Sequence, residues 1–149
     1  RRARLDTQCE LSWVSMQETY QALEGLVRAN LTRNIGLANV STAVLRDVLC
    51  YAEIKPVVVQ VERHVFLQQS RMLKICRHHD IVLSGYSALG ASSYIEIGAA
   101  KASDSALTLP AVAKIAARHG RTPAQVLLRW GLQSGGTVVT KSTRRGRLE

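Results

Sequence analysis

Apolar positions along the chain recur with two alternating periods. Within residues 16–27 they fall at Met16, Tyr20, Leu23, Leu26 and Val27, three to four apart, which predicts an amphipathic helix. Arg33-Asn34-Ile35-Gly36-Leu37 is short, partly apolar and followed by turn residues, so it reads as a strand. Ser41 is placed to cap a helix that carries Val44, Leu45, Val48 and Leu49 on one face. Behind Pro56, the run Val57-Val58-Val59-Gln60-Val61 is β-branched and apolar on both faces, as expected of a fully buried parallel strand. A helix over 70–79 follows, then a strand from Ile81 to Tyr86. Pro110 is suited to open a helix that runs to His119 and stops at Gly120. Thr122-Pro123 starts another, ended by Gly135-Gly136, and Thr137-Val138-Val139-Thr140 forms the last strand.

Strands recurring every roughly 24 residues with helices between them predict an α/β chain built on a parallel sheet. No linker or low-complexity segment divides it, so residues 1–149 read as one domain, irregular over 1–12. The longest irregular stretch, 88–109, is where such a protein places a functional loop.

Composition narrows the setting. Hydrophobic residues make up 46% and aromatics only 5%, so the core is expected to be aliphatic. No apolar run is long enough to cross a bilayer, and no membrane association is expected. The opening Arg1-Arg2-Ala3-Arg4 has neither a Met nor an apolar stretch behind it, unlike a signal peptide, and the true beginning is expected to lie elsewhere. Cys9, Cys50 and Cys76 are odd in number and lack CxxC spacing, which fits buried or half-buried thiols in a reducing, cytoplasmic setting rather than disulfides or a metal site.

The net charge of +9 could attract a polyanion, but the basic residues are scattered outside the two termini. They are not interleaved with aromatics as base-stacking surfaces require, so nucleic acid is not the expected partner. His78 and His79 sit at a helix end beside Asp80 and suit a surface role, while His64 and His119 complete no metal-ligand spacing.

Four segments, in order, resemble the aldo-keto reductases. They are residues 18–27 running into 33–39; Ile54-Lys55-Pro56 with Gln60-Val61-Glu62 and Phe66-Leu67-Gln68-Gln69; Gly85-Tyr86-Ser87-Ala88-Leu89-Gly90; and residues 122–130 followed by Lys141-Ser142-Thr143 and Arg147. The Ile-Lys-Pro linker and Ser92-Ser93-Tyr94-Ile95-Glu96 point to the xylose reductase-like branch. The resemblance covers nearly the whole chain. It implies the C-terminal half, strands five to eight, of a TIM (β/α)8 barrel, whose site lies at the C-terminal strand ends.

The resemblance also implies a cofactor, NADPH, and a small carbonyl substrate. Tyr86 would lie flat on the nicotinamide, a rigid plane offered at low entropy cost. Asn39 and Gln60 would hold the carboxamide, since a side-chain amide both donates and accepts. Ser87 and Leu89 would meet the pyrophosphate and ribose. Lys141, Ser142, Thr143 and Arg147 would grip the adenosine 2′-phosphate through a point charge, two hydroxyls and a planar fork. Read without the family, that last group is equally a solvated basic tail beside Arg144 and Arg145.

The family's proton-donating tyrosine and its lysine, aspartate and histidine helpers lie on strands one to four. No segment here matches them, so the chain is expected to supply no catalytic residue and to be inactive alone. The alternative is a truncated, non-catalytic, cofactor-binding half barrel that self-associates through its open strand edges. Ala38 replaces the family's usual Ser, Val59 its frequent Asn, and Val65 and Thr140 replace prolines, while Arg63 alters the loop after the sixth strand.

Overall fold

The computed structural model describes residues 13–90, 94, 95, 97, 98, 101 and 105–147. Residues 1–12, expected to be irregular, lie outside this range, as do Cys9, Ser92, Ser93 and Glu96.

The elements alternate as the periodicity requires: α1 Met16–Arg28, β1 Gly36–Ala38, α2 Thr42–Tyr51, β2 Val58–Glu62, α3 Ser70–His78 and β3 Val82–Tyr86. A short helical turn at Ala106–Thr108 then leads to α4 Pro110–Arg118, α5 Pro123–Gln133, β4 Thr137–Val138 and a last turn at Arg145–Arg147. Local chemistry sets the helix starts. The Ser41 hydroxyl accepts from the Val44 amide, as its position predicts. Thr122 and Gln125 form a reciprocal capping box with Pro123 at the first helical position.

The four strands pair in parallel in the order β1-β2-β3-β4, so each crossover adds its strand on the same side. Register places Leu37, Val59 and Leu83 side by side on one face. These three are buried with Tyr20 of α1, Leu45 and Val48 of α2, and Met72 and Cys76 of α3 in one cluster. Each fully buried aliphatic side chain there contributes about 1.5–3 kcal/mol of transfer free energy. A smaller cluster joins Ala106, Val112 and Leu127 beneath α4 and α5.

Three expectations need correction. The first strand is not Arg33–Leu37 but Gly36–Ala38, because pairing of Gly36 with Val58 and Ala38 with Gln60 sets its extent. The run Val57–Val61 is not buried on both faces. Val59 and Val61 are buried, but Val58, Gln60 and Glu62 are only half-buried and Val57 is exposed, since the helices of the main cluster cover one face alone. The last strand is Thr137–Val138 rather than Thr137–Thr140, although the Val139 amide still donates to the Gly85 carbonyl.

One buried charge ties the first helix to the sheet. Glu24 is buried on α1 and its Oε1 accepts from the amides of Glu53 and Ile54, both at 2.8 Å. Tyr20, four residues earlier, donates its hydroxyl to the Ile54 carbonyl at 2.8 Å. The pair fixes the linker that delivers Pro56, itself buried, to the start of β2.

Candidate cofactor site at the strand ends

Because every strand runs the same way, all C-terminal ends lie along one edge, where helix N-termini also gather. Asn39 follows β1 with φ of 56°, a left-handed conformation that Asn tolerates better than most residues. Its backbone amide donates to the Gln60 carbonyl at 2.9 Å, extending the ladder past the strand. Its side-chain Oδ1 accepts from the Tyr86 hydroxyl at 2.8 Å. Ser87 follows β3 in the same left-handed conformation, φ 54°.

A cavity of about 680 Å³ opens at these ends, with Asn39, Ser41, Glu62, Gln69, Arg71 and Tyr86 among its lining residues. Two of the expected cofactor residues, Asn39 and Tyr86, therefore share one wall. Gln60 does not line the cavity; it lies in the β2 ladder between Ala38 and Ser84. Ser87 and Leu89 are half-buried in the turn after β3 and also stand outside the lining. Lys141, Thr143 and Arg147 are exposed beyond β4, and Ser142 Oγ accepts from the Arg144 amide at 3.1 Å, holding that turn.

Sequence reasoning missed a polar cluster next to this cavity. Glu62, at the end of β2 and paired in register with Tyr86, accepts from the Tyr94 hydroxyl at 2.8 Å through Oε2. Its Oε1 lies 3.0 Å from Nε2 of the buried His64. The Tyr94 hydroxyl is held above its ordinary pKa, chiefly because it donates to this carboxylate and also through the carboxylate's charge. The one available signal was a carboxylate ending a run of valines, where a buried strand meets the surface.

Arg63, read from sequence as a change in a loop, is a buried structural cation. Its guanidinium donates to the carbonyls of Gln68 and Gly131 at 3.1 Å each and to Ser134 Oγ at 2.7 Å. It also stands 5.0 Å from the Trp130 ring centre. Burial, with Arg77 nearby, lowers its pKa, and the carbonyls at the C-terminal end of α5 offset the desolvation. His78 closes α3 and His79 caps it, as a surface role requires. Among the described residues no three or more His, Cys, Asp or Glu side chains gather as a metal would need. No described helix is long and apolar enough to cross a membrane.

Residues 5–149 match the model of the aldo/keto reductase family. A probable NAD(P)H-dependent D-xylose reductase of Emericella nidulans is 40% identical over 141 residues, covering 93% of this chain and 44% of that protein. The NAD(P)H-dependent D-xylose reductase of Scheffersomyces stipitis is 41% identical over 137 residues, covering 91% and 43%. That of Pyricularia oryzae is 40% identical over 140 residues, covering 93% and 43%. The chain thus spans a little under half the length of the curated relatives it matches. With a family match over nearly all its residues and relatives about 40% identical across them, the chain belongs to the aldo/keto reductase family of oxidoreductases, in its xylose reductase-like branch.

Proposed function

We propose that this chain forms strands five to eight of a (β/α)8 barrel and carries the cofactor side of an NADPH-dependent reductase of small aldehydes or ketones, aldoses among them. The observation that carries the reading is the Tyr86–Asn39 hydrogen bond at the strand ends. Asn39 Oδ1 accepts from the tyrosine, which leaves the amide Nδ2 as the donor for a carbonyl such as that of a carboxamide. The residues present therefore fit a nicotinamide. The singly wound strand order and the helices of the main cluster on one face support the barrel half, since a doubly wound sheet reverses its order.

In this reading Asn39 and Gln60 orient the carboxamide, and Tyr86 fixes which face of the ring meets the substrate. Ser87 and Leu89 follow the pyrophosphate, while Lys141, Ser142, Thr143 and Arg147 neutralise the 2′-phosphate. NADPH, when bound, supplies a hydride to the substrate carbonyl carbon. No segment here matches the family's proton donor, so the chain alone performs no reduction. A cytoplasmic setting accords with the free thiols of Cys76, buried as expected, and Cys50, which is exposed on α2 rather than buried.

NADPH fluorescence titration of the full chain tests the reading. Saturable binding, weakened in Lys141→Ala and Arg147→Ala and tighter than NADH binding, is expected. Absence of binding, or equal binding by both variants, overturns the 2′-phosphate assignment. A second reading, a non-catalytic half barrel that self-associates, is favoured by the short outer strands β1 and β4, whose outer edges pair with nothing described. Sedimentation equilibrium separates the two: a concentration-dependent dimer with bound NADPH and no carbonyl reduction fits the second.

A further inference from the structure

A second cavity, of about 520 Å³, lies between α2 and α3 and has a different chemistry. Thr42 and Arg46, one turn apart, approach it from α2; Arg71, Lys74 and His78 approach from α3 at helical spacing, with His79 at its end. Ile75 completes the lining, which contains no carboxylate. Asp47, beside Arg46, acts instead on Tyr51 toward α1, and Asp80 lies beyond the helix and does not line the cavity. Arg46, Arg71 and Lys74 make no ion pair among the described residues, unlike Arg28, which meets two glutamates.

Three like charges converging without a counterion disfavour this arrangement, and a bound anion would relieve it. Two helix ends add to the positive field. Thr42 is the first residue of α2, and α3 begins behind Gln69, whose side chain makes no capping bond. Of the two first turns only that of α3 lacks a side-chain cap, since Ser41 already accepts from the Val44 amide in α2. The His78 and His79 rings, 4.9 Å apart between centres and nearly perpendicular, add N–H donors at the other end.

We propose that this groove is a binding site for a small phosphate polyanion of the diphosphate class, free or carried on a nucleotide. From Arg71 to His78 the helix rises about 10 Å, longer than one phosphate group and suited to two in sequence. Three formal positive charges match the charge of a diphosphate. The site is concave and has no Phe, Tyr or Trp, which fits a compact anion better than a stacked nucleic-acid strand. It adjoins the strand-end cavity, with Thr42 and Arg71 lining both, but Arg46, Lys74, His78 and His79 line this groove alone.

The test is calorimetric titration of the full chain with inorganic diphosphate at about 0.1 M salt, where screening leaves only close charges effective. One-to-one saturable binding is expected, weakened roughly tenfold or more in Arg46→Ala/Lys74→Ala. Arg33→Ala/Lys55→Ala, which removes two exposed charges that line neither cavity, is expected to bind as the parent does. If the first variant loses its helical circular dichroism, Arg46→Gln/Lys74→Gln gives the same reading with longer side chains retained. The proposal falls if diphosphate does not saturate the chain. It falls equally if only Lys141→Ala/Arg147→Ala loses binding, if Arg33→Ala/Lys55→Ala loses as much as the groove variant, or if a glutamate peptide binds this groove more tightly than diphosphate.

Discussion

The Tyr86 hydroxyl donates to Asn39 Oδ1 across 2.8 Å, joining the ends of β3 and β1 over the end of β2 that lies between them. Neither side chain is independent: the phenol sets which way the amide faces, and the amide holds the ring in one plane. Tyr86→Phe keeps the ring and removes the donor. It should weaken NADPH binding by about two- to tenfold, the worth of one hydrogen bond of 0.5–1.5 kcal/mol. Tyr86→Ala should weaken it further by removing the proposed stacking plane. Fluorescence titration reads both; a Phe variant equal to the parent would mean that Asn39 orients itself.

How much of this was legible follows from distance along the chain. Ser41 and Thr122-Pro123 were readable as helix starts because a cap acts over three residues. The Asn39 and Tyr86 positions were readable only through the family resemblance, since 47 residues separate them. Glu62 with Tyr94, 32 apart, and Arg63 with Gly131, 68 apart, were not readable at all. Nothing local distinguishes a buried charge from a surface one. The start of β1 was misread for a related reason, because a three-residue strand takes its limits from its partner.

Arg63 shows what a nonlocal charge does for stability. Just past β2, it reaches the end of α5 through the Gly131 carbonyl and Ser134 Oγ, while Arg77 donates to the Ser134 carbonyl at 3.1 Å. Arg63→Ala leaves the buried Gly131 carbonyl with only the 3.2 Å contact from Ser134 Oγ and opens a void beside Trp130, at a cost of about 2–4 kcal/mol. Arg63→Lys retains the charge without the fork and should fall between the two. Urea unfolding at constant slope measures the difference; an alanine variant within about 0.5 kcal/mol of the parent would show that water replaces the guanidinium without loss.

Gly131 allows α5 to lie against β4. A Cβ built there would clash with Val138 Cγ1. Alanine would gain about 1 kcal/mol of helix propensity, but overpacking a stiff β-branched neighbour costs about 1–3 kcal/mol. Gly131→Ala is therefore expected to destabilise the chain on balance. Adding Val138→Ala removes the clash, so the double variant should be more stable than the sum of the two single changes. A strictly additive double-mutant cycle would show that the helix simply shifts to make room.

Tyr20 makes stability depend on alkaline pH. Its hydroxyl is pushed up to about 12, first by burial and then by the charges of Glu24 and Tyr51. An unfolded tyrosine titrates near 10, so the folded chain holds this proton more tightly. The resulting stability is complete below pH 10 and is lost as pH rises from about 10 toward 12. Tyr20→Phe cannot lose that proton. It should be less stable than the parent at neutral pH, by about 1 kcal/mol for the bond to the Ile54 carbonyl. The gap should then narrow on the alkaline side as the parent declines and the variant lacks this component. Parallel unfolding curves for parent and variant across that range would show the Tyr20 hydroxyl titrating as it does in water.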